Sequence, residues 1–465
     1  MRALQDPDHL LHQGLAAIRA QFQLPPAGQS GFPPAVLAAA EAAAQRTPAD
    51  HADRTAWPFV TLDPATATDL DQAFTIEPAG TDLLLHYAIA DVAWFVADGD
   101  ALDAEAWQRG VTTYLPDGKV SLYPPVLSER AASLLPDGPR PAVVFTVRVA
   151  PDGQGRLEGA ERALIHSRAK LAYDRVRPED LPAGFAEFAR RMAVAEAARG
   201  AARVDPPEQV VERHGDGRFT LQLRPLLPAE QQNAALSLAA NLAIADALLA
   251  AGTGLFRVMA GPGERAMTRL RNTAAAFGLD WPATLALADF ERRLDPRDPR
   301  VQAFQLAVRR AGDGAGYQPF QPGRQPWHAA LAATYAHATA PLRRLADRYV
   351  IRATLAVANG RPVPAEVTAA FERLAGVMAR AEDRAGQVDR AVVDLAEAAI
   401  LAGREGELFR AVVTDADAAG ARIQLCDLPV IARTKADGLL PGAPVQVRLD
   451  HADTARRQLQ FTQVG

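Results

Sequence analysis

The chain has 465 residues, 49% of them hydrophobic and 23% charged, with 33 Gly and 35 Pro; at about 150 residues per domain this allows roughly three globular domains and excludes a disordered or collagen-like chain. A formal net charge of −5 excludes a uniformly basic protein that coats nucleic acid without selection, so any nucleic-acid contact has to be local, in a groove or channel. The single Cys426 excludes an intramolecular disulfide and a cysteine-based metal cluster.

In chain order, Met1 to Asp6 has no apolar run behind its basic residue and does not read as a signal peptide. Residues 8–24 place Leu10, Leu11, Leu15, Ile18 and Phe22 at helical spacing. Pro25-Pro26 end that helix, and Pro33-Pro34 open a second one through Arg46. The pair predicts a small helical, helix-turn-helix-like module over residues 1–55. Its charge, −1 over residues 1–60, favours packing or linking over DNA reading.

From Trp57 the texture turns to strands: 59–62, 73–77, 83–90 and later 142–149. After about Leu181 the sequence reads as mainly helical to Gly403. Its most apolar part, Ala234 to Phe256, carries Asn241 and Asp246 and is expected to be a buried helix, since an aspartate at a bilayer centre costs about 2.5–3.5 kcal/mol. The expected chain is a soluble cytoplasmic protein with no membrane partner. The tail alternates again at 408–413, 421–425, 445–449 and 458–462, which suits a small OB-type barrel over residues 404–465. The barrel's charges balance at eight basic and eight acidic residues over 401–465. Lys119, Lys170 and Lys435 are the only lysines among 50 basic residues. Codon bias raises arginine and alanine together, so only arginines inside motifs carry weight.

The sharpest chemical signal is Leu62-Asp63-Pro64-Ala65-Thr66-Ala67-Thr68-Asp69-Leu70-Asp71-Gln72-Ala73-Phe74. Asp69 and Asp71, two apart, point to one side of an extended stretch, and Pro64 helps the loop fold so that Asp63 joins them. Converging carboxylates raise one another's pKa unless a cation neutralises them, and hard oxygen ligands suit Mg²⁺ or Mn²⁺. An exposed acidic turn is the plain alternative; the apolar flanks argue against it. The Asp-x-Asp-x-Thr nucleophile of haloacid-dehalogenase-type phosphatases is a poor match, because Ala73 stands in the threonine's place.

Further along, Tyr335-Ala336-His337-Ala338-Thr339-Ala340-Pro341-Leu342-Arg343-Arg344-Leu345-Ala346-Asp347 predicts a helix starting at Pro341, its free N–H groups and both arginines facing one loop suited to phosphate oxygens. Residues 335–360 hold four arginines against one aspartate, and a solvated helix face is the alternative explanation. His337 and His328 read as buried, hydrogen-bonded histidines. Gly261-Pro262-Gly263-Glu264-Arg265-Ala266 mimics a dinucleotide loop but is rejected, because the segment before it reads as helical and no βαβ unit surrounds it.

Asp63, Asp69 and Asp71 followed by Tyr87-Ala88-Ile89-Ala90-Asp91-Val92, Thr113-Tyr114-Leu115-Pro116, Tyr123-Pro124-Pro125-Val126-Leu127-Ser128 and Ala169-Lys170-Leu171-Ala172-Tyr173-Asp174 resemble, in content and order, the ribonuclease II/R family of 3′-to-5′ exoribonucleases, the RNB domain. The Pro341-Leu342-Arg343-Arg344 segment and the helix Ala381-Glu382-Asp383-Arg384-Ala385 extend the likeness over roughly residues 57–403. The resemblance implies an α+β fold: an RNB catalytic domain at 56–403 between the helical module and the OB-fold barrel. It implies a monomer that hydrolyses single-stranded RNA from the 3′ end to 5′-nucleoside monophosphates. Asp63, Asp69, Asp71 and Gln72 would hold Mg²⁺ or Mn²⁺, with Asp69, Asp71 and Arg343 catalytic. Tyr114 and Tyr173 would stack on bases, and Arg344, Glu382, Arg384 and His337 would line the RNA path. Gln72 stands where the family has a fourth aspartate, Ala340 replaces serine, and Leu345 replaces tyrosine. Gln72 motivates the alternative of a catalytically weakened RNA-binding protein.

Overall fold

Period-two runs of apolar residues build the centre of the molecule, a five-stranded sheet in the order Ala52–Asp53, Gly155–Ile165, Arg140–Val149, Asp82–Ala90, Gln72–Ala79. All its pairs are antiparallel except the first. This is a computed structural model that describes residues 3–4, 10–201, 208–214, 218–224, 226–295, 298–312, 314–417, 420–435 and 438–464; residues 8 and 9 of the first predicted helix therefore lie outside the described residues. Asp82–Ala90 pairs on both edges and is buried almost throughout, because the helix Pro228–Ala250 packs over the sheet. That helix is long and apolar enough to cross a membrane. Here Leu236, Leu238, Ala243, Ile244 and Leu248 are buried in the main core.

The two N-terminal helices, Leu10–Gln21 and Pro34–Ala44, bury their apolar faces in different places. Leu11, Leu15 and Ile18 pack with Val388, Val392 and Leu395 of the long helix Ala365–Leu401, and with Leu115, Val120, Phe219 and Leu221. Val36, Ala40 and Ala43 join the main core instead.

Two local expectations are corrected and one is refined. The stretch after Leu181 is mainly helical but also contains the hairpin Glu208–Arg213 with Phe219–Arg224, and the antiparallel pair Leu255–Met259 with Ala315–Pro319. Phe219-Thr220-Leu221-Gln222-Leu223-Arg224 alternates with a period of two, a strand signal inside a helix-rich region. A strand rather than a helix therefore precedes Gly261, but it pairs antiparallel in a two-stranded sheet, so no βαβ unit forms there. The helix expected from Pro341 starts at Leu345 and runs to Ala358. Arg344 is extended (φ −134°, ψ 121°) and bridges to Val111, which holds 341–344 in a turn.

At the C-terminus, Leu408–Asp417, Gly420–Leu425, Ile431–Lys435, Gln458–Gln463 and Pro444–Asp453 close into a barrel in that order. Glu397 of the long helix docks it: one carboxylate oxygen accepts from the Ile431 amide at 2.7 Å and from Gln209 Nε2 at 2.6 Å. Burial pushes the Glu397 carboxyl up to about 7. Glu397→Ala leaves the Ile431 donor without its partner and is expected to cost about 1–3 kcal/mol. Differential scanning calorimetry should show it as an earlier transition, and an unchanged thermogram counts against this docking role.

Candidate active site

The acidic loop lies between two strands that place its ends. Thr61–Asp63 pairs in parallel with Lys170–Ala172, setting Asp63 opposite Ala172, and Gln72 begins the edge strand Gln72–Ala79. Between them Leu70 is fully buried, and Ser133 staples the loop. The Ser133 hydroxyl accepts from the Leu70 amide at 2.9 Å and donates to the Thr68 carbonyl at 2.7 Å. Lys170 donates to the carbonyls of Ala65 and Ala67. The carboxylates are thus fixed by an apolar anchor and by backbone contacts on both sides.

Asp71 is 5% exposed. One oxygen accepts from the Leu342 amide at 2.7 Å and the other lies 3.5 Å from Arg343 Nε. Burial pushes its carboxyl up to about 8, while Arg343 and the Leu342 amide pull down and Asp69 and Asp347 add repulsion. Burial likewise raises Asp63 to about 6; Arg343 and Lys170 oppose the shift and Asp69 reinforces it. Asp69 is held differently. Tyr114 donates to one oxygen at 2.9 Å, and Lys119 Nζ lies 2.8 Å from the other. Gln72 turns its amide inward: its oxygen accepts from the Tyr87 hydroxyl at 2.5 Å and from Ser237 at 3.3 Å, and its nitrogen donates to the Thr339 carbonyl at 2.7 Å.

Asp63 and Gln72 border a cavity of about 330 Å³ whose wall also includes Tyr173, Asn233, Tyr335, Arg343 and Arg344. Asn233 donates to the Tyr173 hydroxyl at 2.9 Å, while Asn241 accepts from the Ala338 amide and donates to Tyr335, pinning the loop before Pro341. Three of the four arginines expected to form a basic patch are spent in ion pairs. Arg344 pairs with Asp347, Arg348 with Asp103, and Arg352 with Asp98 and Glu366. Arg343, with 47% of its side chain exposed, is the one whose partner, Asp71, belongs to the carboxylate loop itself.

Other predicted residues lie apart. Glu382 pairs with Arg257 at 2.8 Å, and Arg384 donates to the Phe22 carbonyl at the end of the first helix. His337 is bonded to the Tyr317 hydroxyl at 2.8 Å; burial and neighbouring arginines hold its pKa well below the usual range, so it is neutral. Among the described residues no three His, Cys, Asp or Glu side chains cage an ion by themselves. Asp63 and Asp71 nevertheless fit a divalent cation with few protein ligands, because both are desolvated carboxylates whose charge is only partly offset. Mg²⁺ binds through one or two carboxylates together with substrate phosphates and water.

Comparison with known proteins identifies the family and the fold. Residues 52–360 match the RNB domain and residues 407–464 match the RNase II-type exonuclease C-terminal S1 domain. This chain belongs to the RNB family. Ribonuclease R of Aquifex aeolicus is 28% identical over 398 residues, which are 78% of this chain and 55% of that protein. The chain spans about half the length of the curated relatives it matches. Among solved structures, Mycoplasma genitalium RNase R in complex with ribose-methylated single-stranded RNA superposes with a TM-score of 0.83 at 18% identity, covering all of this chain and 79% of that one. Yeast Ssd1, a pseudonuclease, superposes with a TM-score of 0.70 at 18% identity, covering 96% of this chain and 57% of that one. The RNB fold therefore occurs with and without nuclease chemistry.

Within this RNB domain, sequence reasoning missed Lys119, Ser133, Ser237 and Tyr87 as parts of the site. For Lys119 a signal existed. Two of the three lysines in the chain, Lys119 and Lys170, contact the 63–71 loop.

Proposed function

We propose that this RNB protein is a 3′-to-5′ exoribonuclease that hydrolyses single-stranded RNA and releases 5′-nucleoside monophosphates. The observation that carries the reading is the half-exposed Arg343 beside the buried Asp71, with the half-buried Asp63 on the same cavity wall and the affinity of both carboxylates for protons raised by desolvation. Asp63 and Asp71 would hold Mg²⁺ or Mn²⁺, and the bound ion supplies an activated water and offsets phosphate charge. Arg343 binds the non-bridging oxygens of the scissile phosphate and stabilises the charge that grows on them. Tyr114, 51% exposed, and Tyr173 on the cavity wall offer faces for base stacking, worth roughly 1–3 kcal/mol per base without regard to sequence. Asp69 positions the Tyr114 ring through its hydrogen bond.

A second reading, an RNB fold that binds RNA without cutting it, rests on Gln72. Its amide is bonded to Tyr87, Ser237 and Thr339 and adds no negative charge to the site. The test is single-stranded RNA, 5′-labelled in one sample and uniformly labelled in another, incubated with purified protein in Mg²⁺, in Mn²⁺ or in chelator. The expected result is shortening from the 3′ end only with Mg²⁺ or Mn²⁺, and monophosphates on thin-layer chromatography. Binding with no change in RNA length, in Mg²⁺ and in Mn²⁺, removes the enzyme reading in favour of the second.

A further inference from the structure

The hairpin that grips Asp69 is itself gripped from outside the catalytic sheet. Thr113 and Val120 bond to each other in both directions, 3.0 and 2.8 Å, closing a short hairpin over 113–120. Its two arms carry the two groups on Asp69, Tyr114 and Lys119. Lys119 also reaches Glu129 at 3.2 Å and Thr68 at 3.3 Å. At the tip, Arg19 of the first helix holds Asp117 in a two-pronged pair, Nε and Nη2 at 2.9 and 2.7 Å. The same guanidinium donates to the Gly118 and Pro25 carbonyls, each at 2.8 Å. Arg19 is 4% exposed, so this cation is removed from water and all its bonds are made inside the protein. Leu115 and Val120 of the hairpin pack with Leu11, Leu15 and Ile18 of the same helix.

A bidentate arginine–carboxylate pair fixes orientation as well as distance. The first helix is in turn anchored at its end, where Arg384 of the long helix reaches the Phe22 carbonyl and Arg457 of the barrel reaches Gln21 at 2.5 Å. We propose that the first helix positions the carboxylate loop of the active site, with Arg19 acting through Asp117 and the 113–120 hairpin to set Tyr114 and Lys119 on Asp69. Arg19 is a positioning residue: it touches neither the cavity nor the loop 63–71. This inference rests on the function proposed above only for its kinetic consequence. The mechanical link can be measured without RNA.

The experiment compares wild type, Arg19→Gln, Asp117→Asn, the double variant, and Gly14→Ala. The last is a control: a Cβ at Gly14 meets the Leu395 side chain at 2.5 Å, so it strains the same helix while leaving the Arg19–Asp117 pair intact. Hydrogen–deuterium exchange is read at 113–120 and at 66–71. Arg19→Gln is expected to speed exchange roughly tenfold in both segments, and Gly14→Ala in neither. In single-turnover assays at saturating RNA, Arg19→Gln and Asp117→Asn should each lower the rate roughly tenfold to a hundredfold, and the double variant should fall no further. Exchange that rises at 113–120 but not at 66–71 overturns the proposal. So do rate losses that multiply in the double variant, or a Gly14→Ala that behaves like Arg19→Gln. Wild-type protein that leaves RNA intact removes the proposed function instead, and the exchange data still decide the coupling.

Discussion

Asp71→Asn is expected to lower the rate of RNA shortening by roughly a thousandfold and, in the same protein, to raise the melting temperature in chelator at pH 8 and above. Both effects have one source. The carboxylate is 5% exposed, and burial pushes its pKa up to about 8. The unfolded chain releases this proton near pH 4, whereas the folded chain keeps it until about pH 8. Between those values the folded state binds more protons, so wild-type stability falls as pH rises through the window and the penalty is complete above pH 8. Asparagine keeps the shape and an oxygen for the Leu342 amide but carries no charge. Its advantage should therefore be near zero at pH 4, grow towards pH 8, and then level off at roughly 2–5 °C. Differential scanning calorimetry across that range, beside the RNA assay, checks both halves. An Asp71→Asn protein that melts below wild type at pH 9, or that keeps a rate within tenfold, contradicts the account. On the proposed function the ionised Asp71 is needed although the fold alone disfavours its charge, a trade of stability for activity.

What could be read in advance followed from contiguity. Asp63, Asp69, Asp71 and the Arg343 segment each sit in a short run whose spacing is visible, and strands such as Asp82–Ala90 announce themselves by apolar content. The arginine run could not be sorted in advance. Arg343, Arg344, Arg348 and Arg352 look alike in sequence, and what separates them is largely acids from elsewhere, Asp103, Asp98 and Glu366. The helix start was misplaced for a related reason: proline at 341 is a sound helix opener, but a bridge from Arg344 to Val111, more than 200 positions away in sequence, holds the turn open. The inward Gln72 amide needs Tyr87, Ser237 and Thr339 to meet across three elements. Each of these is a long-range contact that no local period encodes.

Arg343→Ala is expected to damage the reaction twice. First, the phosphate loses the exposed guanidinium that the site presents to it, which on its own costs roughly a hundredfold to a thousandfold in rate. Second, Arg343 is the largest of the influences that hold down the pKa values of both Asp63 and Asp71. Without it both carboxyls rise further, so the ionised form that accepts a cation is reached only at higher pH. The acid limb of the pH–rate profile should therefore shift upward relative to wild type, and part of the lost rate should return as pH is raised from 7 to 9. Arg343→Lys restores a positive charge but not the planar fork, so its acid limb should lie near that of wild type while its maximal rate stays low. These variants separate electrostatic tuning from phosphate geometry. If Arg343→Ala raises KM alone, with kcat and the acid limb unchanged, then Arg343 merely grips RNA and the carboxylates do not depend on it. If the limb moves in Arg343→Ala and returns in Arg343→Lys, the arginine sets the protonation of the very groups it stands beside.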